Sequence, residues 1–188
     1  TLQELGKLKE AEESYKKAIS IKPDYAQPYN YLGTVLKSLG ALEASEESYR
    51  KAIFFKQDYA EAYTNLGNVL KDLDELAEAE KIYDQAIAIK PNYARAHYGL
   101  GSLLQQLGRL EEAEKCYKNT IALDGEFANP HNNLGIVLQK LGKLPEAERS
   151  FRRAIELQQN VAEVYSNLAI TLQKMGRSEE AESSFRKA

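Results

Sequence analysis

Residues Tyr59–Asn92 read YAEAYTNLGNVLKDLDELAEAEKIYDQAIAIKPN, and the same order of small and large apolar residues returns on either side of this stretch every 34 residues. Let Ala26, Ala60, Ala94, Ala128 and Ala162 be slot 1 of successive units; no insertion or deletion then breaks the register. Slot 7 is Leu32, Leu66, Leu100, Leu134 and Leu168, slot 8 is Gly33, Gly67, Gly101, Gly135 and Ala169, and slot 11 is always leucine. Slot 20 is small (Ala11, Ser45, Ala79, Ala113, Ala147, Ala181), and slot 24 is aromatic (Tyr15, Tyr49, Tyr83, Tyr117, Phe151, Phe185). Slot 27 is small again, from Ala18 to Ala188, with Thr120 as the variant.

Self-similarity at this period is the mark of a stacked helical solenoid. The expected organisation is a single array: a partial unit 1–25, full units 26–59, 60–93, 94–127 and 128–161, and a truncated unit 162–188. Thr1 is not an initiating methionine and the chain opens inside a unit, so the sequence reads as a piece of a longer protein.

Each unit reads as two helices. In the first, Tyr29, Leu32, Gly33 and Leu36 fall at i, i+3, i+4 and i+7 and form one apolar face. A glycine inside a helix costs about 1 kcal/mol against alanine, so its recurrence at slot 8 calls for close approach by the slot 24 aromatic of the neighbouring helix. Gly40, Gly108, Gly142 and Gly176 read as the turn between the two helices, Asp74 as a poorer substitute, and Gly6 as the same turn after a first helix carrying Leu2 and Leu5. The second helix of that opening unit is expected from about Lys9 to Ile21. Asp24, Asp58, Asn92 and Asn160 stand where N-caps are needed, with Glu126 as the weaker variant. Pro145 falls in a first helical turn, where proline is tolerated. Glutamates meet cations four residues on at Glu12/Lys16, Glu46/Arg50, Glu114/Lys118, Glu148/Arg152 and Glu182/Arg186, which reads as a solvated outer face.

A net charge of −3 gives no electrostatic footprint for nucleic acid or an anionic membrane. Cys116 is the lone cysteine, so no internal disulfide is possible, and a reducing, cytoplasmic compartment is the modest inference. There is no run of about 18 apolar residues to span a membrane. His97 and His131 occupy slot 4, otherwise tyrosine (Tyr29, Tyr63, Tyr165), and read as packing residues, because no metal-spaced cysteine or carboxylate pair accompanies them. No phosphate-loop, zinc-protease or nucleophile-elbow motif occurs, so neither a catalytic site nor a cofactor is expected.

A 34-residue helix-turn-helix unit with leucine, glycine or alanine, tyrosine, alanine, aromatic, alanine and a closing proline at Pro23 and Pro91 resembles the tetratricopeptide repeat, TPR, over the whole chain. Departures are His97 and His131 at slot 4, and Gln57, Gly125 and Gln159 in place of the proline. The resemblance implies an all-α, right-handed superhelical solenoid whose first helices line a concave groove for a peptide or protein. The family's groove slots carry Asn30 and Asn132 (slot 5), Tyr31, Asn65, Asn133 and Asn167 (slot 6), Asn68 (slot 9), Lys37 and Lys71 (slot 12), and Arg95 (slot 2). A row of asparagines can pair with the backbone of an extended chain whatever its sequence. It resembles the asparagine ladder in the TPR arm of O-GlcNAc transferases, although Tyr31 and Gly99 interrupt it. The dicarboxylate clamp of chaperone-binding relatives needs a lysine at slot 5 and asparagines at slots 9 and 6 of successive units. Here Asn68 is followed by Gly99, so chaperone C-terminal tails are disfavoured as ligands. The expected function is a protein-interaction scaffold; the alternative is the substrate-recruiting arm of a larger transferase whose catalytic domain lies beyond Ala188.

Overall fold

The computed structural model describes residues 2–158 and 161–188, with the side chains of Leu2 and Gln3 left out. The expectations for Gln159, Asn160 and the Leu2 side chain lie outside the described residues. Every regular element described is an α-helix: α1 Leu2–Ile21, α2 Ala26–Ser38, α3 Leu42–Phe55, α4 Ala60–Asp72, α5 Leu76–Ile89, α6 Ala94–Gln106, α7 Leu110–Leu123, α8 Ala128–Lys140, α9 Leu144–Leu157, α10 Ala162–Lys174 and α11 Ser178–Phe185. Two compact units result, residues 1–99 and 100–188. In unit 1, α1 packs on α2, α2 on α3, α3 on α4 and α4 on α5, and in unit 2, α7 packs on α8, α8 on α9, α9 on α10 and α10 on α11.

The glycine at slot 8 has the expected cause. A methyl group on Gly33 would stand 2.7 Å from the Tyr49 ring, on Gly67 2.8 Å from Tyr83, on Gly101 3.0 Å from Tyr117, and on Gly135 2.6 Å from Phe151. All four aromatic residues are at most 2% exposed, so each pair of helices is closed by a ring laid on bare backbone. Ser45 adds a hydrogen bond from its hydroxyl to the Gly33 carbonyl (2.7 Å). Slot 8 of the last unit carries a methyl instead, and its aromatic, Phe185, is 45% exposed.

The turns inside the repeats close by one device. Gly40, Gly108, Gly142 and Gly176 have φ of 75–78°, and Asp74 follows them at 64°. The next residue's N–H returns to the slot 11 carbonyl: Ala41 to Leu36, Glu75 to Leu70, Arg109 to Leu104, Lys143 to Leu138 and Arg177 to Leu172, at 2.8–3.0 Å. This six-to-one bond satisfies a carbonyl that the helix end would leave open.

Two local expectations are corrected. Gly6 makes no turn: α1 runs continuously from Leu2 to Ile21. A turn here gains nothing locally, whereas continuing the helix adds one backbone hydrogen bond per residue. No other residue stands within 4 Å of where a Gly6 methyl would be, so no packed neighbour demands the turn. The acids expected as caps do not cap either. The N-cap residues are Tyr25, Tyr59, Phe127 and Val161, none with a side-chain cap bond. Asp24 lies one residue too early, as the third residue of a turn closed by Tyr25 N–H to Lys22 O (3.2 Å), with Pro23 before it. The stretch Lys90–Pro91–Asn92–Tyr93 repeats it at 3.0 Å.

The ion pairs on the second helices form as read. Glu12–Lys16, Glu46–Arg50, Glu114–Lys118, Glu148–Arg152 and Glu182–Arg186 lie at 2.6–2.9 Å. A second set links one repeat to the next: Arg50–Glu78 (2.9 Å) in unit 1, and Lys143–Glu114 (2.8 Å), Arg177–Glu148 (2.6 Å) and Arg152–Glu180 (3.3 Å) in unit 2. Glu114 shows what the two sets do together. Burial pushes its carboxyl up, but Lys118 and Lys143 outweigh it and leave the group below the usual carboxylate range. Pro145 sits in the first turn of α9, as expected.

In three repeats slot 4 stitches the first helix to the loop before it. The Tyr29 hydroxyl donates to Pro23 O (3.0 Å), His97 Nε2 bonds Pro91 O (2.8 Å), and His131 Nε2 bonds Gly125 O (3.2 Å). Both histidines therefore do what tyrosine does. Burial lowers the His131 pKa below 6.5, with Arg153 lowering it further and the Gly125 carbonyl and Glu126 opposing. The folded protein prefers the neutral ring. Its contribution to stability is complete above the unfolded value of 6.5 and is lost as pH falls through the lowered folded-state value. Replacing His131 by tyrosine is expected to flatten the loss of thermal midpoint between about pH 7 and pH 5 relative to the parent chain. Parallel slopes for the two proteins would refute it.

Candidate functional site

The polar residues expected to meet a ligand lie on the first helices, and the structure divides them by what stands behind them. In unit 1, Asn30 on α2 is fully buried. Its carbonyl accepts from Asn65 Nδ2 on α4 (3.1 Å), and its own amide nitrogen lies 3.4 Å from Glu61 Oε1. Asn30 therefore backs Asn65 and is not itself presented to a ligand, because α4 and its polar side chains cover it. Asn68 accepts from the Tyr83 hydroxyl (2.7 Å). Burial, and next to it the charge of Asp72, pushes the Tyr83 phenol well above its usual value, so it stays a donor. Tyr31 is 46% exposed and rests against Tyr15, with centroids 5.6 Å apart. Lys37 reaches Asp72 at 2.9 Å, Lys71 is half-buried, and Arg95 is exposed.

Unit 2 repeats the asparagine pairing. Asn167 Nδ2 on α10 lies 3.4 Å from Asn132 Oδ1 on α8, the same slot 6 to slot 5 contact across 35 residues as Asn65 to Asn30. Asn133 Nδ2 lies 3.4 Å from the Tyr117 hydroxyl, which donates to Gln105 Oε1 (2.8 Å). Gln139 donates to Thr171 Oγ1 (2.8 Å). Asn65, Asn132, Asn133 and Asn167 are all half-exposed.

An asparagine side chain offers two N–H groups and an acceptor with two lone pairs. One bond to a neighbour fixes its orientation and leaves the remaining capacity on the open side. The first helices of each unit thus carry amides held by a neighbouring asparagine, buried Asn30 in unit 1 and half-exposed Asn132 in unit 2, and by the hydroxyls of the ring-packing tyrosines. Sequence reading placed the asparagines but missed these anchors. The available signal was a second asparagine 35 residues before Asn65 and before Asn167, together with tyrosine rather than phenylalanine at slot 24 in the units that carry Asn68 and Gln105.

Among the described residues no group of three histidine, cysteine or carboxylate side chains is arranged to hold a metal, and no helix is long and apolar enough to cross a membrane. Cys116 is a half-buried thiol on α7, outside any disulfide. These features define a helical-repeat interaction scaffold. Two family models, the tetratricopeptide repeat over residues 58–126, 92–160 and 126–188 and the TPR repeat over 2–40 and 33–74, match along its length. The chain belongs to the tetratricopeptide repeat family, and its all-helical repeat fold is the one those proteins share.

Among solved structures it is similar to YrrB, described as a TPR protein with an unusual peptide-binding site. The two are 25% identical, with a TM-score of 0.75, over 94% of this chain and 91% of that one. Similarity in fold extends to pilF of Pseudomonas aeruginosa, at 24% identity and a TM-score of 0.81 over 88% of this chain and 75% of that one. It also extends to the APC/C hetero-tetramer Cut9–Hcn1, at 17% identity and a TM-score of 0.84 over 97% of this chain and 36% of that one. None of the curated proteins compared matches the chain.

Proposed function

We propose that the chain is a scaffold that takes up an extended peptide or protein segment on its first-helix face, with Asn65, Asn133 and Asn167 as the ligand-facing amides. The observation that carries this reading is the asparagine pair repeated in each unit, Asn65 on Asn30 and Asn167 on Asn132, which orients a half-exposed amide within its own unit. Preoriented amides lose little freedom on binding, so their hydrogen bonds contribute to affinity instead of offsetting an ordering cost. The peptide-binding site named for YrrB supports the same class of ligand.

The test is a spotted array of unrelated 12-residue peptides probed with the chain and with the Asn65→Ala, Asn133→Ala, Asn167→Ala variant. At about 1 kcal/mol per amide bond, the triple variant is expected to lose about 100-fold in affinity for the peptides captured, with its helical circular dichroism retained. Equal capture by both proteins would sink the assignment. The second reading, a substrate-recruiting arm of a larger transferase of the O-GlcNAc transferase type, draws on the same asparagines. It requires a catalytic domain encoded beyond residue 188, which the parent gene sequence decides.

A further inference from the structure

Slot 12 is lysine twice in succession in unit 1, at Lys37 and Lys71. Elsewhere it is glutamine, and Gln139 is engaged with Thr171 of its own chain. Lys37 Nζ reaches forward along the face to Asp72 Oδ2 at 2.9 Å, and Asp72 is the neighbour of Lys71 in α4. Lys37 is thus paired with a carboxylate on α4, and the charges of both Lys37 and Asp72 are felt at Lys71. Lys37 and Asp72 keep 36% and 39% of their side-chain surface open to solvent.

Asn68 stands one turn before Lys71 and Asp72 on the same helix face. Its carbonyl oxygen accepts the Tyr83 hydroxyl, so its N–H2 group is the end turned away from Tyr83. Asn68 thus brings an amide N–H2 to the stretch of α4 that carries Lys71 and that Lys37 reaches through Asp72. Burial disfavours the Lys71 charge, and Lys37 adds to this while Asp72 opposes it. A second anion would relieve the repulsion between the two lysines.

We propose that Lys37, Lys71 and Asn68 form a recognition site for an acidic side chain of the bound segment, with Asp72 as the resident competitor. This rests on the reading that the first-helix face takes an extended segment, and it adds the partner's chemistry: an aspartate or glutamate where the segment crosses α2 and α4. An extended strand turns alternate side chains to one face, so a peptide with acids at every second position presents a row of carboxylates to the pair.

The experiment uses fluorescence anisotropy with a labelled 12-residue peptide of alternating glutamate and alanine, and its glutamine–alanine counterpart. The glutamate peptide is expected to bind about tenfold more tightly, with a preference that shrinks as salt is raised. Lys37→Gln and Lys71→Gln are each expected to reduce that ratio to about threefold or less, and Asp72→Asn to widen it. The Asp72 variant guards against a trivial result, since a merely misfolded face cannot gain affinity. Equal binding of the two peptides, or an Asp72→Asn variant that weakens the glutamate peptide, would overturn the proposal while leaving the interaction face intact. Absence of saturable binding by either peptide would overturn both.

Discussion

Replacing Tyr83 by alanine is expected to lower the stability of unit 1 by about 3–5 kcal/mol, the cost of emptying a fully buried aromatic site. The ring is completely shielded from solvent. It lies on Gly67 of its own repeat and against Gly99 inside α6, so two backbones would face the cavity. Neither glycine has a side chain that could fold inward to fill it. In a repeat array each unit is held chiefly by its neighbours, and a loss of this size is a large part of the 5–15 kcal/mol or so that holds an ordinary domain together. Tyr83→Phe separates the two contributions. It keeps the ring, removes only the hydroxyl bond to Asn68, and is expected to cost about 1 kcal/mol. Urea unfolding followed by helical circular dichroism measures both, and an alanine variant within about 1 kcal/mol of the parent would contradict the packing described.

Asn30→Ala is expected to cost about 1–3 kcal/mol, because it removes the buried amide to which Asn65 and Glu61 are bonded. Asn30 is fully buried; Asn65 donates to its side-chain oxygen, and its amide nitrogen lies 3.4 Å from Glu61 Oε1. Burial, with the charge of Glu61 next, pushes the nearby Tyr59 phenol up to about 12. Removing the amide leaves no substitute donor or acceptor in the methyl that replaces it. The same variant is expected to weaken peptide capture, since Asn65 then loses the bond that orients it. Asn30→Ala with unchanged urea midpoint and unchanged capture would show that the hub has no structural role.

The parts of this fold that the sequence carries are those where one contact decides a residue. Gly33, Gly67, Gly101 and Gly135 are glycines because Tyr49, Tyr83, Tyr117 and Phe151 lie on them, and the helical cost of glycine makes that cause visible in a bare sequence. The five within-helix ion pairs follow from spacing alone. The failures have a common origin in geometry that spacing does not fix. Asp24 and Asp58 missed the cap by one residue, because the turn before each first helix ends one residue later than composition suggests. Gly6 stays helical because a glycine permits a turn without requiring one. Among the site residues, Asn30 and Asn65 are chemically identical and adjacent in slot. Which of the two is buried depends on how α4 lies over α2, and no local pattern encodes that.

The most direct test of the first-helix face is a nitrogen-15 titration that follows the side-chain amide signals of Asn65, Asn133 and Asn167 as a peptide captured on the array is added. The account predicts that these three signals shift and saturate as peptide is added, while the asparagine and glutamine signals of the second helices, Gln85 and Asn119, stay in place. Shifts confined to α3, α5, α7 and α9, with the three asparagine signals unmoved, would place binding on the opposite helices and contradict it.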